Sequence, residues 1–391
     1  MEKMERIAFT DGTRICVLDE NGRRERESGF IVKYKENSRR MAAGSAWKHT
    51  GRNAALRGEY EFSSPDAEEN APASLNGIAF TDKKDVVAYS FTVGQSSGIY
   101  YKDFSREKED ESHVVHDNER EYFTLSFDRK SGAMLASSAE IGDVCRRIVR
   151  FTPDGNRQSL TDGDSRDDNP FFSVSDEKIL FDSAGVGRDE HGGFGGYAPA
   201  AIYALDLLTL DMVCLKEDEK YSYSKPKRDK DGNLYAVKRP AKENRIGNPL
   251  LEILLIPVRI LGAIVGFVQF FTVAFSGKSL VAGKEVGPNP TKGRERKERE
   301  IFIEGNRIRV DRELKRNKRF KDKDYGFMPR SWQLVRIGQD GAETVLKSGV
   351  ADYAVGQEGI YCTDGRHIYR LNGSECRKIA DTEFCLHLDV Q

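Results

Sequence analysis

The segment TDGDSRDDNP brings four aspartates close together in sequence, at Asp162, Asp164, Asp167 and Asp168. Carboxylates at such short spacing are good ligands for Ca²⁺, but the glycine and bidentate glutamate of an EF-hand loop are missing here. We therefore interpret the segment as an aspartate-rich turn between two structural repeats. No metal site is predicted from it.

Two histidines and a glycine-rich segment are the other candidates for chemistry. His113 and His116 flank two valines and could chelate a metal from one strand, but no third ligand is evident in sequence. The HGGFGG segment at 191–196 carries neither a GxGxxG nor a P-loop signature, so we expect a flexible loop. The sequence thus assigns no catalytic residue, no metal ligand and no cofactor, and an enzyme is the less favoured class.

The composition points to short strands joined by many turns. Of the 391 residues, 38% are hydrophobic and 32% charged, with 36 glycines and 36 tyrosines and phenylalanines together. The six cysteines are scattered without a CxxC pair, and the N-terminus lacks the apolar core of a signal peptide. These features predict free thiols in a reducing, cytoplasmic setting.

One pattern recurs along the chain: an apolar strand-like run, a turn, a second run and then a polar run. Its spacing, insertions apart, is roughly 35–45 residues, which is typical of four-stranded propeller blades. Five copies are visible, at 78–104, 122–164, 167–218, 221–240 continued by 331–349, and 350–381.

The two chain ends supply the remaining repeat. Residues 6–28 have the pattern of three strands, and residues 382–390 have that of a single strand without a partner. One blade shared between the termini would close the ring and remove its exposed edges. We therefore predict an all-β, six-bladed β-propeller, with seven blades as the alternative because residues 29–74 could hold further strands.

Two stretches carry a resemblance to the WD40-like (PD40-type) repeat of TolB-like β-propellers. In the first, DDNPFFSVSDEKILF, the matching residues are Pro170, Ser173, Asp176, Lys178, Ile179 and Phe181, whereas Val174, Ser175 and Glu177 depart from the pattern. In the second, SKPKRDKDGNLYAV, the matching residues are Pro226, Asp231 and Gly232. The resemblance implies the propeller fold and no particular activity. Such propellers also precede serine-peptidase domains, but we find no α/β-hydrolase domain with its nucleophile elbow.

The repeat register predicts where the long insertions leave the propeller. The chain divides into a first propeller part at 1–240, an insertion at 241–330 and a second propeller part at 331–391. Both this insertion and the 184–200 segment fall between the second and third strands of adjacent blades, so they should emerge on one face. Within the insertion, residues 300–313 have the pattern of a hairpin.

The insertion contains an apolar stretch, predicted to be a helix over about 249–276, between two basic flanks. Residues 220–246 hold nine Lys/Arg against three Asp/Glu, and residues 278–330 hold seventeen against nine. This asymmetry predicts an in-plane, re-entrant or spanning membrane helix. The predicted membrane-contact residues are Leu250, Leu254, Leu255, Ile260, Leu261, Ile264, Val265, Phe267, Phe270, Phe271 and Phe275. The predicted membrane-flanking basic residues are Arg245, Lys278, Lys284, Lys292, Arg294, Arg296 and Lys297.

These features predict a membrane-associated propeller, on the cytoplasmic side, acting as a non-catalytic binding or scaffolding module. Its partners would be the lipid surface and a protein bound to the insertion face. The alternative is a soluble propeller whose apolar helix caps a ligand channel or mediates a homodimer through Gly262 and Gly266. A propeller hydrolase or lyase is a third possibility. No nucleic-acid partner is expected, because the basic runs contain few aromatic residues and many acidic ones.

Overall fold

The computed structural model describes residues 5–45, 73–106, 111–173, 178–241, 299–303, 305–320, 324–373 and 375–391. The chain divides into two compact units, and residues 1–241 and 300–391 form the unit to which nearly all described residues belong. The fold below is that of this unit.

Six of the antiparallel sheets are the blades of a β-propeller, and a seventh, two-stranded sheet is a hairpin in the long insertion. Blade 1 comprises β1 (Ile7–Asp11), β2 (Arg14–Asp19) and β3 (Gly22–Glu27), together with the C-terminal strand described below. Blade 2 comprises β4 (Ala73–Phe80), β5 (Val86–Val93), β6 (Ser96–Asp103) and β7 (Glu111–Asp117). Blade 3 comprises β8 (Arg120–Phe127), β9 (Met134–Glu140), β10 (Arg147–Phe151) and β11 (Arg157–Ser159). Blade 4 comprises β12 (Ser165–Phe172), β13 (Lys178–Arg188), β14 (Phe194–Tyr197), β15 (Ala201–Asp206) and β16 (Met212–Lys216).

Blade 5 is interrupted by the long insertion, and blade 6 completes the ring. Blade 5 comprises β17 (Tyr221–Arg228), β18 (Leu234–Pro240), β21 (Gln333–Ile337) and β22 (Glu343–Ser348), and the intervening hairpin is β19 (Glu300–Ile303) and β20 (Asn306–Arg309). Blade 6 comprises β23 (Asp352–Val355), β24 (Ile360–Thr363), β25 (His367–Asn372) and β26 (Glu375–Asp381), and β27 (Leu388–Val390) returns to blade 1. The described helices are α1 (Gly29–Ser45) and α2 (Val310–Asn317), with a 3₁₀ turn at Lys318–Phe320.

Each blade buries both faces of its sheet, which explains the residue types of its strands. The second strand of blade 2, VVAYSFTV, is almost wholly buried, as expected for a strand covered on two sides. The fourth strand of blade 1, GRRERE, forms the outer edge, where charged side chains discourage pairing with another chain. The hydrophobic core is accordingly split into six clusters, each shared by two neighbouring blades.

The predicted shared blade is confirmed. Strand β27 pairs antiparallel with β1, with Val390 opposite Ile7 and Leu388 opposite Phe9. The innermost strands β27, β4, β8, β12, β17 and β23 contact one another in that order, and β23 contacts β27 again. The ring of six blades is therefore closed by the C-terminal strand.

Two long connections leave the blades at equivalent places. The 184–200 segment lies between β13 and β15, and the long insertion leaves after β18 and returns to β21, so both connect second and third strands. The predicted hairpin is present as β19–β20, followed by α2. Ile308 and Val310 are buried with Trp332 in the core between blades 5 and 6, so this part of the insertion packs on the propeller.

Helix α1 was not predicted by the sequence reasoning. Its N-terminus is capped by the Glu111 carboxylate, which accepts hydrogen bonds from the Gly29 and Phe30 amides at 2.8 and 3.2 Å. A second cap is the Ser28 hydroxyl oxygen, which accepts a hydrogen bond from the Ile31 amide. Because half of this capping comes from β7, far away in sequence, only Ser28 and the apolar residues after it could have indicated the helix.

Ring closure can be tested with one leucine substitution and a matched control. Leu388→Ala removes a side chain that is 2% exposed and lies in the core between blades 6 and 1. The free energy of unfolding should fall by about 2–5 kcal/mol, the usual cost of such a cavity. Leu208→Ala, at a position that is 84% exposed, should change it by less than about 0.5 kcal/mol. Urea denaturation measures both, and equal effects would contradict the closure by β27.

Candidate functional site: the central channel

The inner strands enclose a cavity of about 750 Å³ on the propeller axis. All six of them contribute lining residues, for example Gly77 from β4, Thr124 from β8 and Lys225 from β17. Its mouth lies at the end where β8 turns into β9 and β15 turns into β16, because Asp128–Ser131 and Leu208 line it there. That end is opposite the one from which both insertions leave, since second-to-third-strand connections lie at the other end of each blade.

Two inner strands are irregular where they line the cavity. Strand β12 has a bulge at Asn169 and β17 has one at Lys225, and both residues adopt positive φ angles of 52° and 56°. Asp182 on β13 holds both: its Oδ1 accepts from Asn169 Nδ2 at 2.8 Å and from the Lys225 amide at 2.9 Å. Each bulged residue precedes a proline, Pro170 or Pro226. This carboxylate therefore stabilises a backbone conformation that neither residue favours by itself.

Five ionisable residues near the axis form what we call the channel cluster: Lys225, Lys227, Asp352, His387 and Asp389. Lys225 Nζ lies 3.2 Å from Asp352 Oδ1, and the Leu388 amide donates to Asp352 Oδ2 at 3.1 Å. Burial opposes ionisation of Asp352, but the charges of Lys225 and Lys227 outweigh it and hold the pKa of that carboxyl below its usual value. The Lys225–Asp352 pair is therefore ionic.

Lys227 has a different partner from Lys225. Its Nζ donates a hydrogen bond to the Tyr353 carbonyl oxygen and lies 5.1 Å from the centre of the Tyr353 ring. No carboxylate of the described residues is in ion-pair contact with it. Burial lowers the pKa of Lys227, and the more distant Asp352 and Asp389 offset this only in part. Part of its side-chain surface remains open to the cavity.

His387 lies immediately before β27, at the inner end of the cavity. Burial and the neighbouring Lys225 charge lower the pKa of His387 to about 4. Its imidazole is therefore neutral at pH 7. Asp389, two residues later, accepts a hydrogen bond from the Phe80 amide at 2.8 Å, which ties β27 to blade 2.

Four basic residues surround the mouth, which we call the basic rim: Arg129, Lys130, Arg150 and Lys178. Arg129 donates to the Val390 carbonyl oxygen at 3.0 Å, which fixes it beside the opening. Arg150 has a buried Nε without a hydrogen-bond partner in the described part of the chain. With Lys225 and Lys227 the lining holds six basic side chains against the carboxylates of Asp128, Asp352 and Asp389. The cavity thus carries net positive charge.

The side chains of the aspartate-rich segment form ion pairs and hydrogen bonds with neighbouring residues of the propeller. Asp168 is buried and accepts from Arg146 and, at 2.9 Å, from Thr124 Oγ1. Burial raises the pKa of Asp168, but Arg146 and Arg166 outweigh it and lower the pKa to about 2. The other three aspartates have separate partners: Asp162 pairs with Arg147, Asp164 with Arg188 and Asp167 with Ser183.

The other sequence candidates also lie apart. Among the described residues, no three His, Cys, Asp or Glu side chains are arranged to hold a metal ion. His116 packs in an aromatic cluster, with its ring centre 4.7 Å from that of Phe30 on α1. The glycine-rich segment expected to be a flexible loop instead contains β14, paired with the extended end of β13. All six cysteines are free thiols.

A GxSxG pattern occurs at 94–98 but does not form a nucleophile elbow. Gly94 and Gln95 form the turn between β5 and β6, and Ser96 donates to Asn118 Oδ1 at 2.8 Å. A nucleophile elbow requires a strand-to-helix turn, whereas this segment joins two antiparallel strands.

The residues predicted to contact a membrane lie outside the described ranges. This applies to the eleven positions from Leu250 to Phe275, to the seven basic positions from Arg245 to Lys297, and to the helix over 249–276. The pair Gly262 and Gly266 lies there as well.

Comparison with known proteins gives structural similarities only. No protein-family model matches the chain, and no curated protein matches it in sequence. The structure is similar to that of tricorn protease (11% identity, TM-score 0.44, 98% of this chain and 34% of the protease). It is similar to a puromycin-hydrolyzing peptidase of Mycobacterium tuberculosis (11% identity, TM-score 0.41, 79% and 39%) and to a protein of Lactobacillus plantarum (8% identity, TM-score 0.44, 99% and 99%). The chain thus spans well under half of the two peptidases.

The function predicted from the apolar stretch, a membrane-associated non-catalytic scaffold, is wrong. Within the described ranges, no helix combines the length and apolar character that crossing a membrane requires. The prediction relied on the apolar stretch and its basic flanks and did not identify the residues that line the channel, although the two X-Pro pairs at Asn169 and Lys225 mark equivalent positions in the first strands of adjacent blades.

The buried Asp168 should make stability depend on acid. Its pKa of about 2 lies below the value of about 3.9 expected in the unfolded chain. The carboxylate therefore stabilises the fold above about pH 4, by about 2 kcal/mol, and this contribution is lost as the pH falls towards 2. Urea midpoints measured from pH 5 to pH 2 should fall less steeply for Asp168→Asn than for the natural protein. Asp162→Asn, an exposed control, should keep the natural slope; a parallel slope for Asp168→Asn would refute the assignment.

Proposed function

We propose that the central cavity binds a small organic anion. The observation that carries this proposal is the charge of the lining, six basic side chains against three carboxylates around about 750 Å³. A volume between about 300 and 1,000 Å³ is typical of sites for small molecules. The size of the cavity therefore suits a metabolite rather than a macromolecular segment.

The charges are arranged at two depths. Lys225 is neutralised by Asp352 at 3.2 Å, so the excess positive charge belongs to the basic rim and to Lys227. Arg150 lines the cavity, and its Nε is buried and has no hydrogen-bond partner among the described residues. An acid group of the ligand would meet this rim, because a planar guanidinium is well suited to carboxylates and phosphates.

Between the basic rim and the inner end of the cavity near His387, apolar side chains could contact the carbon skeleton of such a ligand. Ile78, Leu125 and Phe171 line the cavity, from blades 2, 3 and 4. Apolar walls with a few charged groups at defined points are the usual means of orienting a small ligand.

Titration calorimetry with a panel of anions and uncharged analogues tests this function. Mono- and dicarboxylates and sugar phosphates should include ligands whose uncharged analogues do not bind. Arg150→Met and Lys178→Met should each weaken binding about tenfold to a hundredfold, the cost of one charge-assisted hydrogen bond. Lys220→Met, at an exposed position outside the lining, should leave it unchanged. Equal binding of charged and uncharged analogues would overturn the proposal.

A further inference from the structure

We propose that Lys227 forms an imine with a carbonyl group of the organic anion bound in the cavity. This inference rests on the proposed function, which supplies the anion, and adds that the ligand carries an aldehyde or ketone. In the step, the neutral amine attacks the carbonyl carbon, a C=N bond forms, and the carbonyl oxygen leaves as water with both protons of the amine. No oxidant or further reactant is needed.

The position of the amine is the first support. Lys227 lines the cavity between the floor and the rim, and its Nζ is fixed by the Tyr353 carbonyl oxygen and ring. Two side chains fix the backbone of β17 at its bulge. Asp182 accepts a hydrogen bond from the Lys225 amide, and the Tyr353 hydroxyl donates one to the Lys225 carbonyl oxygen at 2.6 Å. The nucleophile therefore has a defined location on a rigid strand.

The charges around Lys227 are the second support. Lys225 on the same strand stays cationic through Asp352, and a cation beside a desolvated lysine is a known way to make its amine nucleophilic. The groups that face Lys227 are Lys225 from β17, Asp352 and Tyr353 from β23, Asp389 from β27, and His387, which is neutral at pH 7. Neither carboxylate is in direct contact with Nζ, and burial lowers the pKa of Lys227. Loss of the Nζ proton, which must precede attack by the amine, is therefore easier for Lys227 than for an exposed lysine.

The basic rim indicates the class of substrate. An acid group held at Arg150 or Lys178 would place the rest of the molecule in the same cavity as the Lys227 amine. The substrate class is therefore a carboxylate or phosphate that also carries an aldehyde or ketone, such as an oxo acid.

Reductive trapping tests the imine directly. The intact protein is incubated at pH 7 with glyoxylate and cyanoborohydride, and peptide mass spectrometry follows carboxymethylation of each lysine with time. Lys227 should be modified about tenfold faster than the exposed Lys220, because the cavity holds the glyoxylate carboxylate near the Lys227 amine, whereas Lys220 has no such site. Excess glycolate, which has the acid group but no carbonyl, should slow modification of Lys227 and not of Lys220.

The controls separate this inference from the proposed function. Lys227→Arg keeps a cation and should abolish the fast modification while leaving Lys220 labelling and the thermal midpoint near those of the natural protein. If Lys227 reacts no faster than Lys220 although calorimetry detects anions in the cavity, the imine is refuted and the binding function stands. If Lys227 reacts fast but no anion binds or competes, the anion-binding function is refuted, and with it the imine to a bound anion.

Discussion

The closure of the ring by β27 is the constraint on which the rest of the structure depends. Every hydrophobic cluster lies between two blades, so a missing contact between blades 6 and 1 would expose two faces at once. The closing strand is only Leu388–Val390, and side chains of other blades reinforce it. The Leu388 amide of β27 donates a hydrogen bond to Asp352 of blade 6, and Asp389 of β27 accepts one from the Phe80 amide of blade 2. Arg129 adds a hydrogen bond to its Val390 carbonyl.

The same contacts build the channel. Asp352 ties β27 to blade 6 and also pairs with Lys225 of blade 5, while Asp389 ties β27 to blade 2 and faces the cavity. A buried ion pair is costly unless hydrogen bonds satisfy its remaining atoms, and here the Leu388 amide of the closing strand and the Tyr353 amide of β23 donate to Asp352. The same two carboxylates, Asp352 and Asp389, therefore close the ring and place charge on its axis. This explains why the ionic groups of the channel come from different blades.

The sequence was a good guide to the blades and a poor guide to the channel. Blade count, the shared blade and the equivalent insertion loops followed from local periodicity, because each blade is a contiguous hairpin series. The channel cluster did not, since His387 and Lys227 lie far apart in sequence and meet only through the ring. Helix α1 was missed for the same reason: its cap, Glu111, belongs to another blade. The hydropathy of the insertion suggested a membrane role, and it gave no information about the residues that line the central channel.

Lys225 and Lys227 show how little separates a structural lysine from a reactive one. Both lie on β17, two residues apart, and both face the same cavity. The bulge at Lys225 directs its amine to a carboxylate, whereas the amine of Lys227 reaches only a backbone carbonyl and a ring. A carboxylate contact raises the pKa of an ammonium, whereas burial lowers the pKa of Lys227 and its more distant carboxylates offset this only in part. Because the Asp352 charge is already committed to Lys225 and to the Leu388 amide, Lys227 is left as the amine that a ligand can engage.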